Sequence, residues 1–155
     1  MRLWYISTLK STIMERSINL FTYEHRIVLI DDDVDDQKIF NDSLGEYNHQ
    51  IKNFTSAKRA LYYLHQLQRA DHPSVIVTDF KMPGMNGMEI LKAIKESPLL
   101  YHIPVIVYST EMSLLLQQKL KANGAAGCFI KSDHLEDLKE FLLVLGVIFE
   151  NSIFD

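Results

Sequence analysis

Four short apolar runs in this sequence each end in a side chain that can do chemistry. Ile27-Val28-Leu29-Ile30 runs into Asp31-Asp32-Asp33, and Val75-Ile76-Val77-Thr78 runs into Asp79. Val105-Ile106-Val107-Tyr108 runs into Ser109-Thr110, and Cys128-Phe129-Ile130 into Lys131. Carboxylates brought close together repel, and each raises the other's pKa unless a cation compensates. A hard divalent cation is the natural compensator. Mg2+ takes few protein carboxylates and fills its other positions with water and phosphate oxygens. An aspartate carboxylate is also a nucleophile toward phosphorus, giving an acyl phosphate. In that reaction a metal neutralises equatorial charge, while a lysine and a hydroxyl bind the remaining phosphoryl oxygens. The four ends supply all of these groups, provided that the fold brings them together.

The intervening segments predict such a fold. The first run, fully apolar and β-branched, reads as a strand buried on both faces. Helical spacing follows from Val34 to Leu44, stopped by Gly45. Ile51 to Phe54 is a weaker strand. Ser56 caps a helix running to about Arg69, with Ala57, Ala60, Leu61, Leu64 and Leu67 on one side. Strands at 75–78, 105–108 and 128–130 alternate with helices over Met88–Lys95, Met112–Ala122 and Leu135–Leu145. Asn123-Gly124 forms the C-cap of the second of these helices. Five strands joined by helices predict right-handed crossovers and a parallel sheet covered on both faces. Ligands of such α/β sheets bind beyond the carboxyl ends of the strands, where strand order reverses. The reactive side chains fall at those ends.

No one of these features is specific alone. Asp31 to Asp36 also fits a solvated helix start, an isolated Lys131 a surface lysine, and Ser109 a turn residue. Together they carry a resemblance. The segments Ile27 to Asp33, Val77-Thr78-Asp79-Phe80-Lys81-Met82-Pro83-Gly84-Met85-Asn86-Gly87, Pro104 to Ser109, and Gly124 to Lys131 resemble the receiver domain of two-component response regulators, over about residues 26–145. The resemblance implies a flavodoxin-like sheet of order 2-1-3-4-5. It implies Asp79 as phosphoacceptor. Mg2+ (or Mn2+) would be held by Asp31, Asp32, Asp79 and the backbone carbonyl of Lys81. Ser109 would be the switch hydroxyl, and Lys131 the lysine that pairs with the phosphoryl group. Pro83 and Gly87 shape the loop after the phosphoacceptor.

The implied partner is a sensor histidine kinase or a histidine phosphotransfer protein. The implied chemistry is that of a phosphoacceptor with Mg-dependent self-phosphorylation and self-dephosphorylation, not a turnover enzyme. Lys81 lies two residues past Asp79, and Glu111 two past Ser109. With Thr110 they are expected to flank the path of an attacking water, and their opposite charges are expected to pair across the site mouth and partly gate hydrolysis. Two positions depart from the family pattern. Cys128 stands where an aromatic switch residue is common, and Ser132 follows Lys131 where proline is usual. Tyr108, beside the switch hydroxyl, is the expected substitute reporter, and Phe129 is expected on the sheet face opposite Cys128.

Competing readings fit less well. An EF-hand counted from Asp31 would need Gly where Asp36 stands and Glu where Asp42 stands. A haloacid-dehalogenase-like phosphatase would use Asp31-x-Asp33, yet it leaves Asp79 and the Met-Pro-x-Met-x-Gly run unexplained. A non-phosphorylated interaction domain of the same fold would not need all five site residues. The six histidines show no metal-ligand spacing, and Met82, Met85 and Met88 read as packing.

A net charge of −4 argues against direct nucleic-acid binding. No apolar run reaches the roughly 18 residues of a membrane span, and no signal peptide is evident. The single Cys128 fits a reducing compartment. A cytoplasmic protein is therefore expected. Residues 1–25 are expected to be a loose extension, 26–149 the receiver domain and 150–155 a tail. With little chain after the fifth helix, output through a partner, a relay or a phosphate sink is expected. Leu114-Leu115-Leu116 and Phe141 to Leu145 hold more apolar residues than one helix face can bury. Helices 112–122 and 135–145 are thus the expected docking or homodimer face.

Overall fold

A computed structural model describes residues 26–45, 47, 50–131 and 134–146. The extension at 1–25, Ser132 and the tail at 150–155 lie outside the described residues. In chain order the elements are β1 (Arg26–Ile30), α1 (Val34–Ser43), β2 (Gln50–Phe54), α2 (Ala57–Gln66), a 3-10 turn (Arg69–Asp71), β3 (Val75–Thr78), α3 (Gly87–Glu96), β4 (Val105–Ser109), α4 (Leu114–Ala122), β5 (Gly127–Ile130) and α5 (Leu135–Val144). All four strand pairings are parallel, in the order β2-β1-β3-β4-β5.

β1, β3 and β4 are buried along nearly their whole length because helices cover both faces of the sheet. Alternate strand residues sort into two cores. On one face Val28, Ile30, Ile76, Val105 and Val107 meet Ala60 and Leu64 of α2, Ile90, Leu91 and Ile94 of α3, and Leu120 of α4. On the other, Ile27, Leu29, Val75, Val77, Ile106 and Tyr108 meet Phe40 of α1 and Leu138 and Leu142 of α5. β2 is an edge strand with a polar, mostly exposed pattern, which explains its weaker sequence signal.

Helix boundaries follow local capping. Asp33 accepts from the amides of Asp35 and Asp36, and Ser56 from that of Arg59. Asn86 and Glu89 form a reciprocal capping box. The sequence-predicted helix over 112–122 begins at Leu114, because the Ser113 side chain caps the Leu116 amide. The helix expected to reach Arg69 stops at Gln66. Leu67 is extended, and a separate turn follows.

Candidate phosphoacceptor site

Backbone hydrogen bonds fix three of the four reactive strand ends against a neighbouring strand. The Asp31 amide donates to Phe54 O at 2.9 Å, the Asp79 amide to Ile30 O at 2.8 Å, and the Lys131 amide to Ser109 O at 3.0 Å. Ser109 is the last residue of β4. The groups therefore converge at one sheet edge, between β1 and β3, where the chain's progression across the sheet reverses.

Asp31, Asp32 and Asp79 each offer a carboxylate oxygen, and these atoms lie within 4.8 Å of one another. Asp31 and Asp79 are buried and Asp32 is exposed. All three are hard oxygen donors, as Mg2+ or Mn2+ requires. Burial pushes the Asp31 carboxyl up despite its hydrogen bond from Lys131. The neighbouring Asp79 charge acts in the same direction as burial, as a smaller contribution. Gln37, buried on α1, donates to the Asp31 carbonyl at 2.7 Å and holds this strand end. The Phe80 amide donates to Asp79 Oδ1 at 2.7 Å, leaving Oδ2 to face Lys131.

Lys131 Nζ lies 2.6 Å from Asp31 Oδ2, 2.8 Å from Asp36 Oδ2 and 3.7 Å from Asp79 Oδ2. Burial alone would lower its pKa, but the bonds to Asp31 and Asp36 outweigh it and push the ammonium up to about 12. Asp36 is the residue that sequence reasoning missed. The sequence places it only in an acidic run that also fits a solvated helix start, yet the first turn of α1, set by the Asp33 cap, brings it onto the lysine. The signal available was its position three residues after a capping Asp in a run flanking the acid pair.

Ser109 is fully buried, and its Oγ has no hydrogen-bond partner among the described residues. A buried hydroxyl without a partner costs about 1–3 kcal/mol. Its orphaned state suits a ligand oxygen that arrives from outside. Thr110 and Glu111 are exposed. Lys81 Nζ donates to Glu111 Oε2 at 2.8 Å, so the two expected charges do pair, both exposed to solvent. The backbone carbonyl of Lys81 lies two residues past Asp79, in the loop that runs to α3.

Gly87 brings α3 against that loop. A Cβ there would meet Asp79 O and Phe80 Cα at 2.9 Å. Tyr108 is buried on the α1/α5 face against Phe40, and its hydroxyl donates to the Lys131 carbonyl at 3.0 Å. Cys128, half-buried, packs on the opposite face from Phe129 and Tyr108, and burial pushes its thiol up.

Comparison with known proteins agrees with this geometry. The sequence profile of the response regulator receiver domain matches residues 27–143. The two-component response regulator ARR7 of Arabidopsis thaliana is 32% identical over 130 residues, covering 79% of this chain and 63% of that protein. ORR3 of Oryza sativa subsp. japonica is 34% identical over 108 residues, covering 70% of this chain and 80% of that protein. Among solved structures, Vibrio cholerae chemotaxis protein CheY4 gives a TM-score of 0.69 at 24% identity, over 79% of this chain and 99% of that one. The phosphorylated cyanobacterial phytochrome response regulator RcpA gives 0.67 at 27% identity, over 81% and 91%. The Mn2+-bound form of response regulator Rcp1 gives 0.66 at 22% identity, over 83% and 96%, a likeness of fold. Nothing in these matches supports the haloacid-dehalogenase reading. With the sheet order, the acid cluster at its carboxyl edge and a profile match running from β1 into α5, the chain belongs to the response regulator receiver family of two-component signalling.

Proposed function

We propose that Asp79 accepts a phosphoryl group from the phosphohistidine of a sensor kinase or phosphotransfer protein. An Asp79 carboxylate oxygen attacks phosphorus as the bond from phosphorus to the donor nitrogen breaks, and the electron pair stays on the imidazole, which takes up a proton. Asp31, Asp32 and Asp79, with the Lys81 carbonyl, would hold Mg2+ or Mn2+, which supplies positive charge against the phosphoryl oxygens when bound. Lys131 and Ser109 bind the other oxygens. The observation that carries this reading is the buried Ser109 Oγ, without a partner among the described residues, on the same edge as three carboxylates and a lysine.

The same site would phosphorylate itself from a small acyl phosphate and lose the group to water, with Lys81, Thr110 and Glu111 modulating the second step. Output would pass through contacts with a protein partner or a second copy. Leu114, Leu115, Val144 and Leu145 are exposed on α4 and at the end of α5, and they provide apolar surface for it. Among the described residues no helix is long and apolar enough to cross a membrane. We place the protein in the cytoplasm, where a histidine kinase would reach it. Incubation with acetyl phosphate and Mg2+ should add one phosphoryl group to the intact mass. No addition, or no dependence on Mg2+, would refute the proposal.

A further inference from the structure

We propose that Asp36 is a positioning residue that competes with the incoming phosphoryl group for Lys131 and so sets how readily the phosphorylated state forms. This rests on Asp79 being the phosphoacceptor. In the structure the lysine is not within hydrogen-bond reach of Asp79. Its Nζ is 3.7 Å from Asp79 Oδ2, while its short contacts go to Asp31 at 2.6 Å and Asp36 at 2.8 Å.

Of these two holders, Asp36 is the one that can be exchanged. The Asp31 side chain is 3% exposed and that of Asp36 31%, so water can take over the Asp36 carboxylate when the ammonium leaves. Asp36 itself is fixed. It lies in the first turn of α1, and its amide donates to the capping Asp33 Oδ1 at 3.3 Å. Asp36 therefore acts on a phosphoryl group in two ways. It occupies one of the three donors of the ammonium, and it places a like charge near a group carrying close to two negative charges.

The same charge acts in the opposite sense on a cation. Asp36 adds to the negative field of the acid cluster and favours Mg2+. This gives a signature that damage to the fold cannot imitate. Asp36→Asn should bind Mg2+ more weakly and, at saturating Mg2+, bind beryllofluoride more tightly. A misfolded or loosened site would weaken both.

The experiment titrates the full-length chain first with Mg2+ and then with beryllofluoride at saturating Mg2+, following the Phe80 and Ser109 amides by NMR. Wild type, Asp36→Asn and Asp36→Glu are compared. We expect Asp36→Asn to bind beryllofluoride about fivefold more tightly and Mg2+ about twofold more weakly, as for loss of one charge-assisted contact in a solvent-accessible site. Asp36→Glu should restore both values toward wild type. Asp36→Ser, which keeps a polar group in the first helical turn, repeats the comparison should Asp36→Asn lose the fold. Beryllofluoride affinity that is unchanged or weaker in Asp36→Asn overturns the competition. Wild type that binds no beryllofluoride refutes Asp79 as phosphoacceptor instead. In that case the Lys131 ammonium resonance, shifted by Asp36→Asn in the unliganded protein, still reports the contact.

Discussion

Replacing Lys131 by methionine removes the ammonium from the acid cluster while keeping a side chain of similar length. The Lys131 side chain is 9% exposed, and its two short partners are Asp31 and Asp36. Breaking a buried ion pair from one side typically costs 3–5 kcal/mol, because an uncompensated charge stays behind. Water reaches Asp36, so the lower end of that range applies here, about 3 kcal/mol. With a urea slope of about 2 kcal/mol/M, the unfolding midpoint should fall by about 1.5 M in EDTA at pH 7.

Two conditions should narrow the gap. Mg2+ compensates the same carboxylates, so at saturating Mg2+ the variant should lie within about 1 kcal/mol of wild type. Acid should act likewise. Burial already raises the Asp31 pKa above its ordinary value, and loss of Lys131 raises it further. The folded variant then holds a proton that the unfolded chain gives up near pH 3.8. Its stability therefore declines as pH rises through and above that value, and recovers below it. A variant as stable as wild type in EDTA, or a gap indifferent to Mg2+, would show that Lys131 does not compensate this cluster.

Gly87→Ala should destabilise by about 1–3 kcal/mol through overpacking, although alanine is the better helix former. Equal or greater stability in urea would mean that the close approach to Asp79 O and Phe80 Cα is not enforced. Tyr108 is pushed up to about 12 by burial, so spectrophotometric titration should show one tyrosine ionising late, and that component should vanish in Tyr108→Phe. Because the folded pKa lies above the unfolded 10.0, stability should be lost as pH rises from about 10 to 12. The double variant Lys81→Ala/Glu111→Ala removes a fully exposed pair that solvent screens. Stability should barely move while the acyl phosphate half-life changes several-fold, and an unchanged half-life would exclude a gate.

The sheet was legible because β1, β3 and β4 are buried on both faces, which leaves short apolar runs rich in Val and Ile in the sequence. The reactive ends were legible for the same reason, since a run that stops at an Asp, Ser or Lys marks a strand terminus. Asp36 was not, because its role depends on the pitch of the first α1 turn and on a lysine 95 positions away. The start of α4 was misplaced because Met112 continues the apolar spacing, whereas the Ser113 cap sets the boundary. Tyr108 was anticipated as a substitute for the ring absent at Cys128. Its contact with the Lys131 carbonyl, on the face away from Cys128, appears only once the chain is folded.

Asp79, and no other carboxylate of the cluster, is expected to carry the phosphoryl group. Borohydride reduces an aspartyl phosphate to homoserine, which peptide mass spectrometry locates in the chain. After treatment with acetyl phosphate and Mg2+, homoserine should appear at position 79, and Asp79→Asn should yield none. Homoserine at position 31 or 32, or labelling that persists in Asp79→Asn, would contradict the account.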